Sequence, residues 1–474
     1  MSNFVRQLSL LFLTKVALLI RSISNFQSKG GTYMSNHAMF EETIITKFHS
    51  AIDSVASHIQ NYTFHANDFT RNRVFTPHKI TEFLVSKGSL STRNELLDFF
   101  DFNDVPTNSA LIQQRNKLNH TMFRDIFYTF NNSISGYFKQ NALSYIAADG
   151  STISFCSNSC FSDDSYHSCH GISKNGGYSM HLNAFYDLKN QMYIDAEIQP
   201  EHNKNEFHAF CEMVDRYNAS ADKTTLFIGD RGYCSYNNMA HVINKNQYFL
   251  FRAKDIASKG ILKNIKFPDA DIFDVPIEIT LTRSHSKKVQ YPDNTYVRFI
   301  DKAINFDYIE HDSYDTYLLS FRVVRFKISE NSYECIVTNL PQNEFSTDKI
   351  KEIYNMRWSV ETSFRKLKYT IGLLNFTSQK PEHIKQEIWT RLIAYNITQA
   401  IIQHTVINKN RKYIYQVNFS TATHIIKKYL QNHNIKNIMA LLEKELIPIR
   451  KNRQFTRLQT AHFRKPHIFL YKAA

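Results

Sequence analysis

Three carboxylates stand out by their surroundings. Asp149 lies within Ser144 to Phe155, an apolar, strand-like run, where an unpaired carboxylate costs several kcal/mol unless a metal or a partner holds it. Asp230 directly follows the apolar strand Leu226-Phe227-Ile228-Gly229, at the kind of strand terminus where sites on α/β sheets lie. Glu361 belongs to a segment of helical period from Ile353 to Ile371. Advancing that helix about 100° per residue puts Tyr354, Arg357, Glu361 and Lys368 within roughly 60° of arc, beside a stripe of Ile353, Val360, Phe364, Leu367 and Ile371. On a solvated helix such opposite charges are ordinary ion pairs contributing a few tenths of a kcal/mol. Taken with the two aspartates, the third acid completes what phosphoryl transfer by two divalent cations needs. Such ions sit about 3.5–4 Å apart, one activating the attacking oxygen and the other stabilising the leaving oxygen. An all-oxygen ligand set suits magnesium.

The elements that must position these acids follow from changes in hydrophobic period. Residues 78–140 read helical: Thr92 and Glu95 make a capping-box pattern, and Pro106-Thr107 breaks the chain before a second helix, Ser109 to Leu118, carrying Gln113, Gln114, Arg115 and Lys117. Two short helices across a tight break read either as a DNA-reading helix-turn-helix or as a plain bundle with a solvated polar face. From Leu143 strands take over: Ser144 to Phe155, then a hairpin of Met180 to Tyr186 and Met192 to Ile198. A helix Asn205 to Tyr217, a strand Thr224 to Gly229, a helix around Asn237 to Ile243 and a strand Tyr248 to Arg252 follow. Three strands, helix, strand, helix, strand is the order of a ribonuclease-H-like α/β core. Residues 261–332 turn β-rich, with Ile277 to Leu281, Tyr296 to Ile300 and Tyr317 to Ile328 as strands, which predicts an inserted β-domain between the second and third acids. After Thr338-Asn339-Leu340-Pro341 helical period returns at Asp348 and runs to about His433.

Composition narrows the partners. Lys+Arg 57 against Asp+Glu 43 leaves +14 on 474 residues, a balance that points first to nucleic acid, while the length suggests about three domains. A hydrophobic content of 43% with 12 Gly and 10 Pro excludes a disordered basic protein. The tail from Arg450 to Lys472 is basic with no acid, and reads as a solvated extension or as an arm that tracks phosphates. Six cysteines give no disulfide framework, and the cluster of Cys156, Cys160, His167, Cys169 and His170 is spaced too closely for a zinc finger or ribbon, so it reads as a loop. The apolar stretch Leu8 to Ile20 is interrupted by Lys15 and falls short of the roughly 18 apolar residues of a membrane span. Lys29-Gly30-Gly31 can be encoded by a purine run like a bacterial ribosome-binding site, which makes Met34 the expected start and residues 1–33 untranslated sequence.

The strings Asp149-Gly150-Ser151 and Asp230-Arg231-Gly232-Tyr233, with the spacing Y-x2-R-x3-E-x6-K met by Tyr354, Arg357, Glu361 and Lys368, resemble the DDE transposases of bacterial insertion sequences, insertion sequence family four. Phe249-Leu250-Phe251-Arg252-Ala253-Lys254, Thr338-Asn339-Leu340-Pro341, Arg357-Trp358-Ser359-Val360-Glu361 and the helix Ile388 to Asn396 extend the resemblance over residues 78 to 465. It implies an α/β fold: a ribonuclease-H-like catalytic core, a β-rich insertion between the second and third acids, and a helical N-terminal DNA-binding region. It also implies Asp149, Asp230 and Glu361 as catalytic ligands of two magnesium ions, with manganese able to substitute. Tyr354, Arg357 and Lys368 would grip transposon-end DNA, joined in the DNA-binding set by Arg252 and Arg115. Some relatives stack a flipped base on a tryptophan of the insertion, whereas Trp358 and Trp389 here lie in the later helices. Tyr333 reads there either as a substitute or as a core aromatic.

The expected layout is an N-terminal segment (1–77), a helical DNA-binding region (78–141), the first part of the core (142–260), the insertion (261–332), the second part with the catalytic helix (333–400), and a C-terminal helical region with a basic tail (401–474). The implied activity is cut-and-paste transposition: phosphodiester hydrolysis at the element's ends, then attack of the freed 3′ hydroxyl on target DNA. The implied partners are double-stranded DNA, as terminal inverted repeats and target, and a second copy of the chain on that DNA. The implied location is the bacterial cytoplasm, at the nucleoid, with no membrane. The alternatives are a catalytically silent DNA-binding protein derived from a transposase, against which the intact acids speak, and a plain nuclease of the same fold, from which strand joining would separate it.

Overall fold

The computed structural model describes residues 33–449 apart from 139–141, 156–162, 169–176, 219–222, 257, 259, 287–288, 290–295, 331, 406, 408–412, 433–434 and 436. The leading segment ahead of the expected start, the cysteines at 156, 160 and 169, His170 and the basic tail from Arg450 lie outside the described residues.

The N-terminal helical pattern resolves into α1 (Tyr33–Ala56), α2 (Pro77–Ser86), α3 (Thr92–Phe99), α4 (Asn108–Arg115) and α5 (Thr121–Ile134). Side-chain oxygens of Thr76, Ser91 and Thr107 accept from backbone N–H groups in the first turns of α2, α3 and α4, which satisfies donors that have no intrahelical partner. The cap of α3 therefore lies one residue earlier than the Thr92 pattern predicts. Glu95 does reach back, but to the N–H groups of Gly88 at 2.6 Å and Leu90 at 2.7 Å.

Ten strands form one sheet: β1 (Leu143–Phe155), β2 (His167–Ser168), β3 (Gly177–Asp187), β4 (Met192–Pro200), β5 (Thr224–Gly229), β6 (Tyr248–Ala253), β7 (Phe273–Thr282), β8 (Tyr296–Phe299), β9 (Thr316–Ser329) and β10 (Ser332–Thr338). β1, β3 and β4 are antiparallel neighbours, and β5 and β6 continue the sheet parallel to β1. The crossovers into β5 and β6 are α6 (Glu206–Arg216) and α7 (Tyr236–Asn244). The β-rich insertion does not form a sheet of its own: β9 pairs with β10 along one edge and with β7 along the other, and so extends the core sheet. This pairing covers the outer edge of β10, which would otherwise present unpaired backbone groups.

Strand alternation divides the core into two layers. Ile146, Ala148, Phe185 and Phe227 pack with Phe210, Met213 and Val214 of α6 and Met239 and Val242 of α7. Ala147, Ile153, Leu182, Leu226 and Ile228 face the other way, toward the helices of the C-terminal half. Those helices are α8 (Thr347–Met356), α9 (Trp358–Arg365), a π-helical turn (Lys366–Ile371) and α10 (Pro381–His404). The single helix read from Ile353 to Ile371 is thus broken at Arg357 and widened after Arg365. α10 is buried on nearly every side from His383 to Ile401, its polar residues Gln386, Glu387, Arg391 and Asn396 included, and these find partners on neighbouring elements. A small pair of strands, β11 (Tyr415–Val417) and β12 (Leu446–Pro448), interrupts the expected helical run, with α11 (Phe419–Asn432) and α12 (Ile438–Leu442) between them.

Candidate active site

Asp149 and Asp230 come together through strand register. The parallel β1–β5 ladder pairs Ala147 with Ile228, and the two acids each follow two residues later. Both therefore continue the sheet face that carries Ala147 and Ile228, the face on which α9 packs. Asp149 keeps one carboxylate oxygen on the Gly150 N–H at 2.8 Å. A side chain at 150 would collide with His181 Nε2 and lie 3.2 Å from Asn183 Oδ1, so β3 leaves room only for glycine beside the first acid.

Asp230 ends β5 as the N-cap of a 3₁₀ turn, Arg231–Tyr233, and accepts from the Gly232 N–H at 2.8 Å. The turn folds Tyr233 back under the strand, where it is 1% exposed. A Cβ at Gly229 would sit 2.8 Å from Tyr233 Cβ. The glycine before the second acid is what lets the chain turn so sharply there.

Glu361 approaches from α9. Its Oε1 accepts from Arg357 Nη2 at 3.0 Å, and the guanidinium is almost fully buried. Arg357 also lies against the rings of Tyr354, 5.6 Å from the centroid, and Trp358, at 5.0 Å. Burial pushes the Tyr354 hydroxyl above its ordinary range, in a neighbourhood shared with Arg357, Glu334 and Arg252. Lys368 leaves the π-helical turn toward β1, where its Nζ donates to the Thr152 carbonyl at 3.0 Å. Burial pushes that ammonium down, with Asp149 opposing.

The charges of Asp230 and Glu361 both act on Asp149. The Asp149 carboxyl is pushed up to about 6, by burial first and then by the charges of Asp230 and Glu361, against the Gly150 N–H and Arg357, which favour its ionised form. Half-buried carboxylate oxygens that repel one another fit a divalent cation, which would relieve that repulsion. The donor set contains no nitrogen or sulfur, the chemistry expected for magnesium or manganese.

Two of the remaining expected residues fare differently. Arg252 is half-buried and paired with Glu334 at 2.6 Å, close to the Tyr354 side of the site. Arg115 is not a DNA-facing residue. It is 2% exposed and donates to Glu387 Oε1, Gln386 Oε1 and the His383 carbonyl on α10. Lys87 binds the other Glu387 oxygen. The face of α4 that carries Arg115 is thus consumed by packing, which favours the helical bundle over a free recognition helix for these residues.

Sequence reading missed a polar cluster beside Gly150. His181 Nε2 lies 2.9 Å from Glu206 Oε1, and Thr152 Oγ1 donates to Glu201 Oε2 at 3.2 Å. The signal was present in β3, where His181 and Asn183 interrupt an otherwise apolar strand.

Known proteins similar to this chain are transposases. Residues 141–397 match the family model described as the transposase DDE domain. The transposase for insertion sequence element IS421 of Escherichia coli is 31% identical over 83 residues, 17% of this chain and 22% of that protein. The transposase InsG for insertion sequence element IS4 of Escherichia coli is 23% identical over 126 residues, 24% of this chain and 28% of that protein. The chain thus spans less than a third of the length of either relative. Among solved structures, a piggyBac transposase synaptic complex with hairpin DNA overlays with a TM-score of 0.44 at 9% identity, covering 86% of this chain and 84% of that one. No helix among the described residues is long and apolar enough to cross a membrane.

Proposed function

The chain belongs to the transposase DDE domain family, and from that premise we propose that it cuts and rejoins DNA at the ends of an insertion sequence by metal-dependent phosphodiester chemistry. The observation that carries this reading is that Asp149 and Asp230 each follow by two residues the paired Ala147 and Ile228 of adjacent parallel strands, with the charges of Asp230 and Glu361 both acting on Asp149. Asp149, Asp230 and Glu361 would hold two divalent ions, magnesium by preference, which supply activation of the attacking oxygen and charge neutralisation at the leaving oxygen.

The chain's own residues do the positioning. Arg357 fixes the Glu361 carboxylate toward the sheet, and the Gly150 and Gly232 N–H groups orient Asp149 and Asp230. Tyr354, Arg357, Lys368 and Arg252 line the same side and would hold the phosphates of the cut end. The strand order β4-β3-β1-β5-β6 with its two crossover helices supports a ribonuclease-H-like core. A pair of chains on paired DNA ends, working in the bacterial cytoplasm at the nucleoid, completes the proposal.

The test is a purified reaction with a duplex carrying the element's terminal inverted repeat. Magnesium or manganese should give a nick at the repeat boundary and joining of the 3′ end to a second duplex, both lost in Glu361→Gln. Cleavage without joining would favour a nuclease, and end binding with neither would favour a silent DNA-binding protein.

A further inference from the structure

Away from the catalytic acids, two groups among the described residues bring metal-ligating atoms together, Cys211 with His241 and Asp307, and a second whose donors are nitrogen and oxygen alone. His49 on α1 and His78 and Glu82, one turn apart on α2, bring their ligand atoms within 4.8 Å of one another. His49 Nε2 lies 3.5 Å and His78 Nε2 lies 3.4 Å from the same oxygen, Glu82 Oε1. Both separations exceed an ordinary N–H···O bond of about 2.7–3.2 Å. They are close to the edge, about 3.3–3.4 Å, of a tetrahedron whose arms have the ~2.0–2.1 Å length of zinc–nitrogen and zinc–oxygen bonds.

The second imidazole nitrogen of His78 strengthens the case. Nδ1 is 2.6 Å from Asp53 Oδ1. An ionised carboxylate only accepts, so a proton sits on Nδ1, and an ion binding at Nε2 would displace the second proton that Glu82 and Asp53 favour on the ring. A carboxylate behind a metal-binding histidine orients the ring and raises its basicity. His49, His78 and Glu82 are 30%, 28% and 17% exposed, buried enough to be held in place and open enough for an ion and a water to enter.

The geometry points to a zinc-class transition-metal site formed by His49 Nε2, His78 Nε2 and the Glu82 carboxylate, with its fourth position open to water. Bound there, the ion ties α1 to α2. Imidazole donors separate this site from the all-oxygen catalytic set, because nitrogen ligands favour zinc or cobalt over magnesium.

The experiment uses the full chain carrying Asp149→Asn, Asp230→Asn and Glu361→Gln together, so that the catalytic carboxylates contribute no ligands. Titration with cobalt(II) should give one equivalent with the visible absorption of a four-coordinate ion, displaced by zinc and not by magnesium. His78→Gln should abolish the band. Asp53→Ala should lower zinc affinity roughly 10–100-fold, and because Asp53 is 68% exposed this variant keeps the helix intact whatever the effect of changing His78. The absence of a cobalt band in the parent would overturn the site, as would unchanged zinc affinity in Asp53→Ala.

Discussion

Asp149 within β1 and Asp230 just past the end of β5 each lie two residues beyond Ala147 and Ile228, the last pair of the parallel β1–β5 ladder. Neighbouring strands run about 4.8 Å apart, and the charge of Asp230 is felt at Asp149. The Asp149 carboxyl is pushed up to about 6, by its own burial first and by the Asp230 charge in addition.

A pH dependence follows with a definite sign. Asp149 holds its proton up to about pH 6 in the folded protein and only to about pH 4 in the unfolded chain. Between those values the folded state binds more protons, so this residue adds stability as pH falls and withdraws it as pH rises through about 6. In the presence of a chelator, the melting temperature of the parent relative to Asp149→Asn should rise on moving from about pH 7 to about pH 5. Magnesium should stabilise the parent more at the higher pH. A constant difference between the two proteins would remove the repelled state of Asp149.

The contact between Gly150 and His181 gives a paired test. Gly150→Ala drives a methyl group into the His181 ring, and overpacking of this kind typically costs about 1–3 kcal/mol. Gly150→Ala with His181→Ala should recover much of that loss, leaving a coupling energy of at least about 0.5 kcal/mol in a double-mutant cycle of urea unfolding. Additive effects would mean that β1 and β3 yield at this point without strain.

Glu387 holds two buried cations, Lys87 at 2.5 Å and Arg115 at 3.0 Å. Burial alone would raise its carboxyl, but the two cations hold it far below the usual range. Glu387→Gln leaves both charges buried with a neutral partner, and breaking such a pair costs about 3–5 kcal/mol. Chemical unfolding should show a loss of that size, while the salt dependence of end binding by the folded variant stays as in the parent. A loss under about 1 kcal/mol would mean that the cluster is solvated in solution.

The order of strands and helices from residue 143 to 253 was legible because each element there has an uninterrupted period and a clear breaker. Asp149 stood out in the sequence for a related reason, since charge is conspicuous inside an apolar strand. What escaped reading depended on tertiary partners. Nothing local to Arg115 says that Glu387, far along the chain, will bury it, so a basic residue on a short helix looked available to DNA. The break at Arg357 was hidden because its neighbours keep helical period on both sides, and only the contacts of its guanidinium with Tyr354, Trp358 and Glu361 reveal the junction. The insertion's strands were visible, but not their merger with the core sheet, because a strand's pattern does not state which edge it joins.

Lys368 and Glu361 reach the same site from successive turns and should separate in function. Each cation that neutralises a phosphate contributes about 0.9 to the slope of log affinity against log salt. If Lys368, whose Nζ is held at the Thr152 carbonyl and feels the charge of Asp149, neutralises a phosphate of the cut end, Lys368→Ala should weaken binding to a cut-end duplex and flatten that slope by nearly one. Glu361→Gln removes a charge that repels DNA, and releases Arg357 from the ion pair that now neutralises it. That variant should bind the end at least as well as the parent and fail to cut it. If the helix face is only an ion-paired surface, both variants would cut nearly normally and shift binding by under about half a kcal/mol. Salt-titrated binding beside a cleavage assay distinguishes the two. An unchanged slope for Lys368→Ala takes that residue out of the phosphate path, and cleavage by Glu361→Gln takes the third acid out of the chemistry.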